Sequence, residues 1–172
     1  GVFVAGSDVY ISGYRDSAGI SRAIYWKNDV LYSLTEGISS EQARSVYVSE
    51  GNVYFAGYES NGTKNIATYW KNGVAHYISD GTENTKATSI YVSGNDVYVA
   101  GEQTDGTTVT AKYWKNGVET ILTDPSLAQL HTTGIFVSGS DVYISGWGDY
   151  GTYTIAKYWK NGTPISISNG TN

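Results

Sequence analysis

Apolar and β-branched residues fall in short runs along this chain. Each run is about five to seven residues long and is closed by a turn residue. The first kind of run reads Val2-Phe3-Val4, Val46-Tyr47-Val48, Ile90-Tyr91-Val92 and Ile135-Phe136-Val137. A small turn follows, and then Val9-Tyr10, Val53-Tyr54, Val97-Tyr98 and Val142-Tyr143, each with a glycine three residues on (Gly13, Gly57, Gly101, Gly146). A polar loop leads to a third run ending in Tyr-Trp, and a turn to a weaker fourth run such as Val118 to Leu122. In the second run Val9 and Ile11 point one way and Tyr10 the other, so both faces are apolar or aromatic. A sheet wet on one side would carry a polar face; a sheet packed on both sides would not. No window holds the apolar spacing of a helix for three turns, and the nearest approach, Ile38 to Val48, has too few apolar positions.

The pattern recurs as a unit. Tyr-Trp-Lys-Asn occurs at Tyr25 to Asn28, Tyr69 to Asn72, Tyr113 to Asn116 and Tyr158 to Asn161, with steps of 44, 44 and 45 residues between Trp26, Trp70, Trp114 and Trp159. A period of that size marks a repeat architecture. Lys-Asn-Gly closes the third run in repeats two to four, and Asn-Gly supplies the positive φ pair of a two-residue hairpin turn. Repeat one has Asn28-Asp29 there. Four short antiparallel strands repeated in this way make an all-β fold, a β-propeller of four blades if the ring closes within one chain. The reading is one domain over residues 1–172, with repeats 1–45, 46–89, 90–134 and 135–172. The four tryptophans belong to the core between blades. Since no strand is exchanged between the termini, closure rests on packing of blades one and four. A monomer is expected, with a dimer forming one larger ring, or a piece of a longer protein, as the alternatives.

The run SIYVSGNDVYVAGEQTDG…AKYWKNGVETIL, Ser89 to Leu122, resembles the NHL-type and SBBP-type bacterial propeller repeats. The resemblance covers all four repeats and implies the fold; those families are diverse in function. Tyr-Trp-Lys-Asn itself departs from their pattern.

Composition narrows the function classes. The chain has 172 residues with 16 Tyr, 21 Gly and no Cys, which excludes disulfides and thiolate metal sites. Its net charge of −5 argues against a nucleic-acid backbone as partner. No apolar run approaches the roughly 20 residues of a membrane helix. The chain starts at Gly1 rather than Met, so processing or excision from a longer protein is implied. Composition and resemblance together point to an extracellular or cell-envelope setting.

Candidate chemistry is sparse. The aligned Lys27, Lys71, Lys115 and Lys160 read as solvated turn residues rather than a basic ring. Asp8, Asp96 and Asp141, with Asn52 in the remaining place, could ring a Ca²⁺ in the channel, but Asp and Asn before a strand are ordinary turn formers. No cofactor is expected. His76 and His131 fall at different repeat positions and complete no zinc or triad pattern. Asn61-Gly62-Thr63 and Asn169-Gly170-Thr171 match the glycosylation pattern and read as turns.

The connections between first and second and between third and fourth strands are short and alike; the others vary. The variable face would carry any function. There Trp147, Asp149, Tyr150 and Tyr153 crowd one loop, and Tyr14, Tyr58 and Glu102 hold the place of Trp147 in the other repeats. Trp147, Tyr150, Asp149, Tyr14, Tyr58 and Glu102 are the expected ligand-binding residues, aromatics for area and acids for direction. The reading is a non-catalytic module that binds a carbohydrate or protein surface. The alternatives are a carboxylate-dependent hydrolase or lyase with its site at the axis, and a structural domain of a longer surface protein.

Overall fold

The computed structural model describes residues 1–35 and 39–167. They form four antiparallel four-stranded sheets, one per repeat, with no helix among the described residues. Sheet one holds β1 (Val2–Ala5), β2 (Asp8–Ser17), β3 (Ile20–Lys27) and β4 (Val30–Ser33). Sheet two holds β5 (Glu41–Ser49), β6 (Asn52–Ser60), β7 (Asn65–Lys71) and β8 (Val74–Tyr77). Sheet three holds β9 (Asn84–Ser93), β10 (Asp96–Thr104), β11 (Val109–Lys115) and β12 (Val118–Ile121). Sheet four holds β13 (Leu130–Ser138), β14 (Asp141–Tyr150), β15 (Tyr153–Lys160) and β16 (Thr163–Ser166). Strands lie in chain order within each sheet, and β1, β5, β9 and β13 stand side by side as the innermost strands. The architecture is a β-propeller.

Alternation gives every sheet two unlike faces. One carries the tryptophan with Val and Ile, and Phe55 in sheet two; the other carries the tyrosines with alanine, and Phe3 and Phe136 in sheets one and four. At each joint the tyrosine face of one sheet meets the tryptophan face of the next. Tyr54, Ala56 and Ala67 of sheet two pack with Ile90, Val92, Val99 and Trp114 of sheet three. Tyr98, Ala100 and Ala111 of sheet three pack with Ile135, Val137, Ile144 and Trp159 of sheet four. Tyr10 and Ala23 of sheet one pack with Val46, Phe55 and Trp70 of sheet two. Burial of one such tryptophan ring removes about 150–250 Å² from water. The inner strands add a chain of ring contacts: Phe3 to Tyr47 at 4.7 Å, Tyr47 to Tyr91 at 4.8 Å and Tyr91 to Phe136 at 5.0 Å.

Two expectations change. Trp70, Trp114 and Trp159 are buried, but Trp26 is only half-buried, because no sheet among the described residues covers the tryptophan face of sheet one. Among the described residues sheets one and four do not pack as consecutive sheets do, and the four blades there form an open arc. The second change concerns strand length. β5, β9 and β13 begin several residues before the Val/Ile triads, and β2, β6, β10 and β14 run past their glycines. What reads as long loops after Gly13, Gly57, Gly101 and Gly146 is mostly extended hairpin. Gly57, Gly101 and Gly146 sit where the inner strand bulges across: a Cβ there would come within 1.7 Å of the Gln42 carbonyl oxygen, 2.4 Å of that of Lys86 and 2.0 Å of that of His131. β1 is only four residues long and pairs with β2 over Asp8 to Ile11, so the inner edge of β2 lacks this crossing.

Candidate functional site

The repeated signature builds a lock at the turn end of each blade. Asn28, Asn72, Asn116 and Asn161 all take positive φ, between 47° and 52°. Their side-chain oxygens accept the backbone N–H of Val9, Val53, Val97 and Val142 at 2.8–2.9 Å. Their amides donate to Asp8, Asn52, Asp96 and Asp141 at 2.7–2.8 Å. Lys27, Lys115 and Lys160 reach the same aspartates at 2.8 Å and lie over Tyr10, Tyr98 and Tyr143. Hydrogen bonds from lysine and asparagine hold Asp8, Asp96 and Asp141 below the ordinary carboxylate range, and Asp96 pushes Lys115 up to about 12. Each carboxylate is thus hydrogen-bonded within its own blade.

The opposite end is different in every blade. Glu102, at the end of β10, reaches across the joint to His131 of β13, with Oε2 at 2.9 Å from Nδ1. The imidazole stacks on Trp147 at 3.8 Å between centroids and 16° between planes. One joint back, Tyr58 of β6 stands in the place of Glu102 and Lys86 of β9 in that of His131. Lys86 and Arg44 both lie 5.5 Å from the Tyr58 ring centre. Burial raises the Tyr58 phenol, Arg44 works against that, and Tyr14 and Asp16 of sheet one add to it. Asp16 also accepts Ser21 Oγ at 2.5 Å. This end of the blades therefore carries a carboxylate–imidazole pair on an indole at one joint and, at the joint before it, two cations on a buried tyrosine with Tyr14 and Asp16 near.

Further out, the joints bury polar groups that differ from blade to blade. At the place of Ile24 stand Thr68, Lys112 and Lys157. Lys112 donates to Gln103 at 2.6 Å and Glu119 at 2.9 Å. Lys157 is fully buried and donates to Asp124. Burial alone would raise the Asp124 carboxyl; hydrogen bonds from Lys157 and Ser126, with the lysine charge, bring it below its ordinary value. Glu41 and Glu59 are cross-strand partners. Glu59 accepts Trp70 Nε1 at 3.1 Å and Tyr77 Oη at 2.8 Å. Desolvation, only partly offset by Thr35, raises the Glu41 carboxyl, and the Glu59 charge adds to that.

The structure links Glu102 to Trp147 through His131 and sets Tyr14 near Tyr58. Tyr58 is no surface aromatic: it is buried beneath the two cations. Tyr150 faces Tyr153 at the tip of the β14–β15 hairpin, about 10 Å along the strand from Trp147. Asp149 is tied by backbone hydrogen bonds to Gln129 and Ala128. Asp16, Arg44, Lys86 and His131 are residues of this end that sequence reasoning missed. For Lys86 and His131 the signal lies in the alternation just before each inner triad, where Gln42, Lys86 and His131 share one place. Asn169 lies outside the described residues.

No known protein family matches the sequence, and no curated protein matches it. The fold, however, has clear likenesses. A thermostable family-43 glycoside hydrolase is similar with a TM-score of 0.62 at 11% identity, over 99% of this chain and 74% of that one. An exo-1,5-alpha-L-arabinanase from a bovine ruminal metagenomic library gives 0.59 at 10% identity, over 97% and 76%. A GH32 beta-fructofuranosidase from Bombyx mori, in complex with sucrose, gives 0.52 at 11% identity, over 91% and 47%. These likenesses establish the propeller and lend no support to the NHL- or SBBP-type repeat in particular. They also overturn the expectation of a non-catalytic binding module, since each of these similar folds belongs to a glycoside hydrolase.

Proposed function

We propose that the chain is the propeller of a carbohydrate-cleaving hydrolase whose reacting groups stand at the axis mouth. The observation that carries this is Glu102, half-buried, fixed by His131, and placed beside the partly exposed Trp147. Glycoside hydrolysis needs one carboxyl to move a proton at the leaving oxygen and a second to attack or to activate water. Glu102 takes the proton-transfer role, because the imidazole holds one of its oxygens and leaves the other for substrate. Asp16, on sheet one near Tyr58, is the second carboxylate. Trp147 offers apolar area to a sugar ring, and Arg44 and Lys86 supply donors to its hydroxyls. The glycoside hydrolases of similar fold support the reading.

The test is hydrolysis of arabinan, arabino-oligosaccharides, sucrose and fructans by wild type, Glu102→Gln and Asp16→Asn. Wild type should release reducing sugar from one of these classes, and Glu102→Gln should lose about 10²- to 10⁴-fold while still binding the substrate. A wild type inert on the whole panel overturns the enzymatic reading. Full activity in Glu102→Gln places the chemistry elsewhere, with Glu41 and Glu59 the next pair to change.

A further inference from the structure

We propose that the outer joint between sheets two and three binds a neutral carbohydrate, at a site apart from the axis mouth. The cavity there measures about 530 Å³ and is lined by Tyr77, Asp80, Thr82, Gln103, Lys112 and Glu119. That volume lies within the roughly 300–1,000 Å³ of small-ligand sites. Two buried donors are left over at it. Lys112 is 6% exposed and spends two of its three N–H bonds on Gln103 and Glu119. Trp114 is 1% exposed, and its Nε1–H has no partner among the described residues. The neighbouring sheets satisfy the same indole: Trp70 donates to Glu59, and Trp159 donates to the Thr123 carbonyl. Here Gln103 stands in the place of Glu59 and Ser79 in that of Thr123, and both belong to the cavity wall. Gln103 has given its oxygen to Lys112, so the indole donor is orphaned beside the cavity. A buried donor without an acceptor is destabilising, which favours an acceptor brought from outside the chain.

The wall offers acceptors as well as donors. Thr82 donates twice to Oδ1 of Asp80, and Lys112 reaches Oε1 of Glu119, so each carboxylate keeps a second oxygen for the cavity. Ser79 Oγ accepts the Ala67 N–H and keeps its own hydrogen to donate. Two carboxylates against one ammonium disfavour an inorganic anion. A metal cation would face that ammonium, and no group of three His, Cys, Asp or Glu among the described residues could hold one. A sugar hydroxyl both donates and accepts, which matches this mixed wall. Tyr77 adds the apolar surface on which a sugar ring stacks. Its phenol donates to Glu59 at 2.8 Å, which fixes the ring although the residue is 60% exposed. At the places equivalent to Lys112, Thr68 carries no charge and Lys157 is sealed against Asp124.

Nitrogen-edited NMR reads the site directly, because each of the 5 tryptophans gives its own indole N–H signal. The probes are L-arabinose, D-xylose and D-fructose, each to about 100 mM; none carries a glycosidic bond to cleave. At least one should move the Trp114 signal saturably, with half-saturation at about 1–10 mM, while Trp70 and Trp159 stay still. Asp80→Asn, whose amide oxygen can keep the Thr82 bonds, and Tyr77→Ala should each raise the half-saturation concentration by about tenfold or more. The rest of the spectrum shows that the variants keep the fold; should Tyr77→Ala lose it, Asp80→Asn decides alone. A Trp114 signal unmoved by all three sugars, or moved only in proportion to concentration, overturns the proposal. So does a signal that moves with sodium sulfate or calcium chloride and with no sugar, which marks an ion site. Variants that bind as wild type does overturn it too. Trp147 reports the axis mouth in the same spectra, so a failure here and a failure of the hydrolytic reading are seen separately.

Discussion

The two ends of each blade are made by the same strands, yet only one end repeats its side chains. At the turn end, Asn28, Asn72, Asn116 and Asn161 do one job in four places, with the same positive φ and the same bond to a valine N–H. At the other end, Tyr14, Tyr58, Glu102 and Trp147 share a strand position and differ in every contact. A hairpin of fixed length admits few turn geometries, so the first end is held by backbone demands. The second end has no such demand once the bulge has passed Gly57, Gly101 and Gly146. Divergence there costs the framework little and leaves room for chemistry.

The comparison is sharpest at the tryptophans, which belong to the repeated end yet do not all share surroundings. Trp70→Ala empties a fully enclosed site and should cost about 3–5 kcal/mol. Trp26→Ala, on a face no sheet among the described residues covers, should cost roughly 1–2 kcal/mol. Denaturant unfolding of the two variants measures the gap, and equal losses would mean that Trp26 is covered in solution.

A next step breaks the divergent end. Asp124→Ala would leave the buried Lys157 ammonium unpaired in the joint between sheets three and four. Removing one partner of a buried pair typically costs about 3–5 kcal/mol, and Asp124, partly exposed, should fall near the lower figure. Lys157→Met in addition should recover most of the loss, since an apolar chain of similar length fills the space without a charge. Unfolding midpoints of the single and double variants test this, and no recovery would mean that Asp124 serves the loop rather than the lysine.

The framework was legible because it repeats. A 44-residue step, an Asn-Gly pair and alternation on both faces specify sheets packed on both sides. The axis mouth was legible only in part. Glu102 and Trp147 align across repeats, but Leu130-His131-Thr132 has less of the β-branched and aromatic weight of Ile135-Phe136-Val137, so the sequence does not mark His131 as part of a strand. The inner strand starts early for a tertiary reason, pairing with an extended β14, which local propensity does not register. The open arc was hidden for another reason: Val2, Val4 and Ile11 look like core in sequence, and they are exposed only because no sheet among the described residues faces them.

The smallest expected effect lies at the turn end, where one repeat differs in a single atom type. Three locks use Asp8, Asp96 and Asp141; the second uses Asn52, which does not titrate. The three carboxyls sit below their ordinary value of 3.8 because lysine and asparagine hydrogen bonds favour the charged form. A depressed carboxyl stabilises the fold above its unfolded pKa, and that contribution is lost as pH falls through the folded one. Acidification below 3.8 should therefore loosen three locks and spare the fourth. Amide exchange followed by NMR between about pH 4 and 2 should show protection falling at the Val9, Val97 and Val142 N–H while that of Val53 holds. Asn52→Asp should make Val53 follow the others, since Lys71 already lies over Tyr54 as its counterparts lie over their tyrosines. Four valines losing protection together in wild type would mean that the asparagines hold the turn without help from the carboxylates.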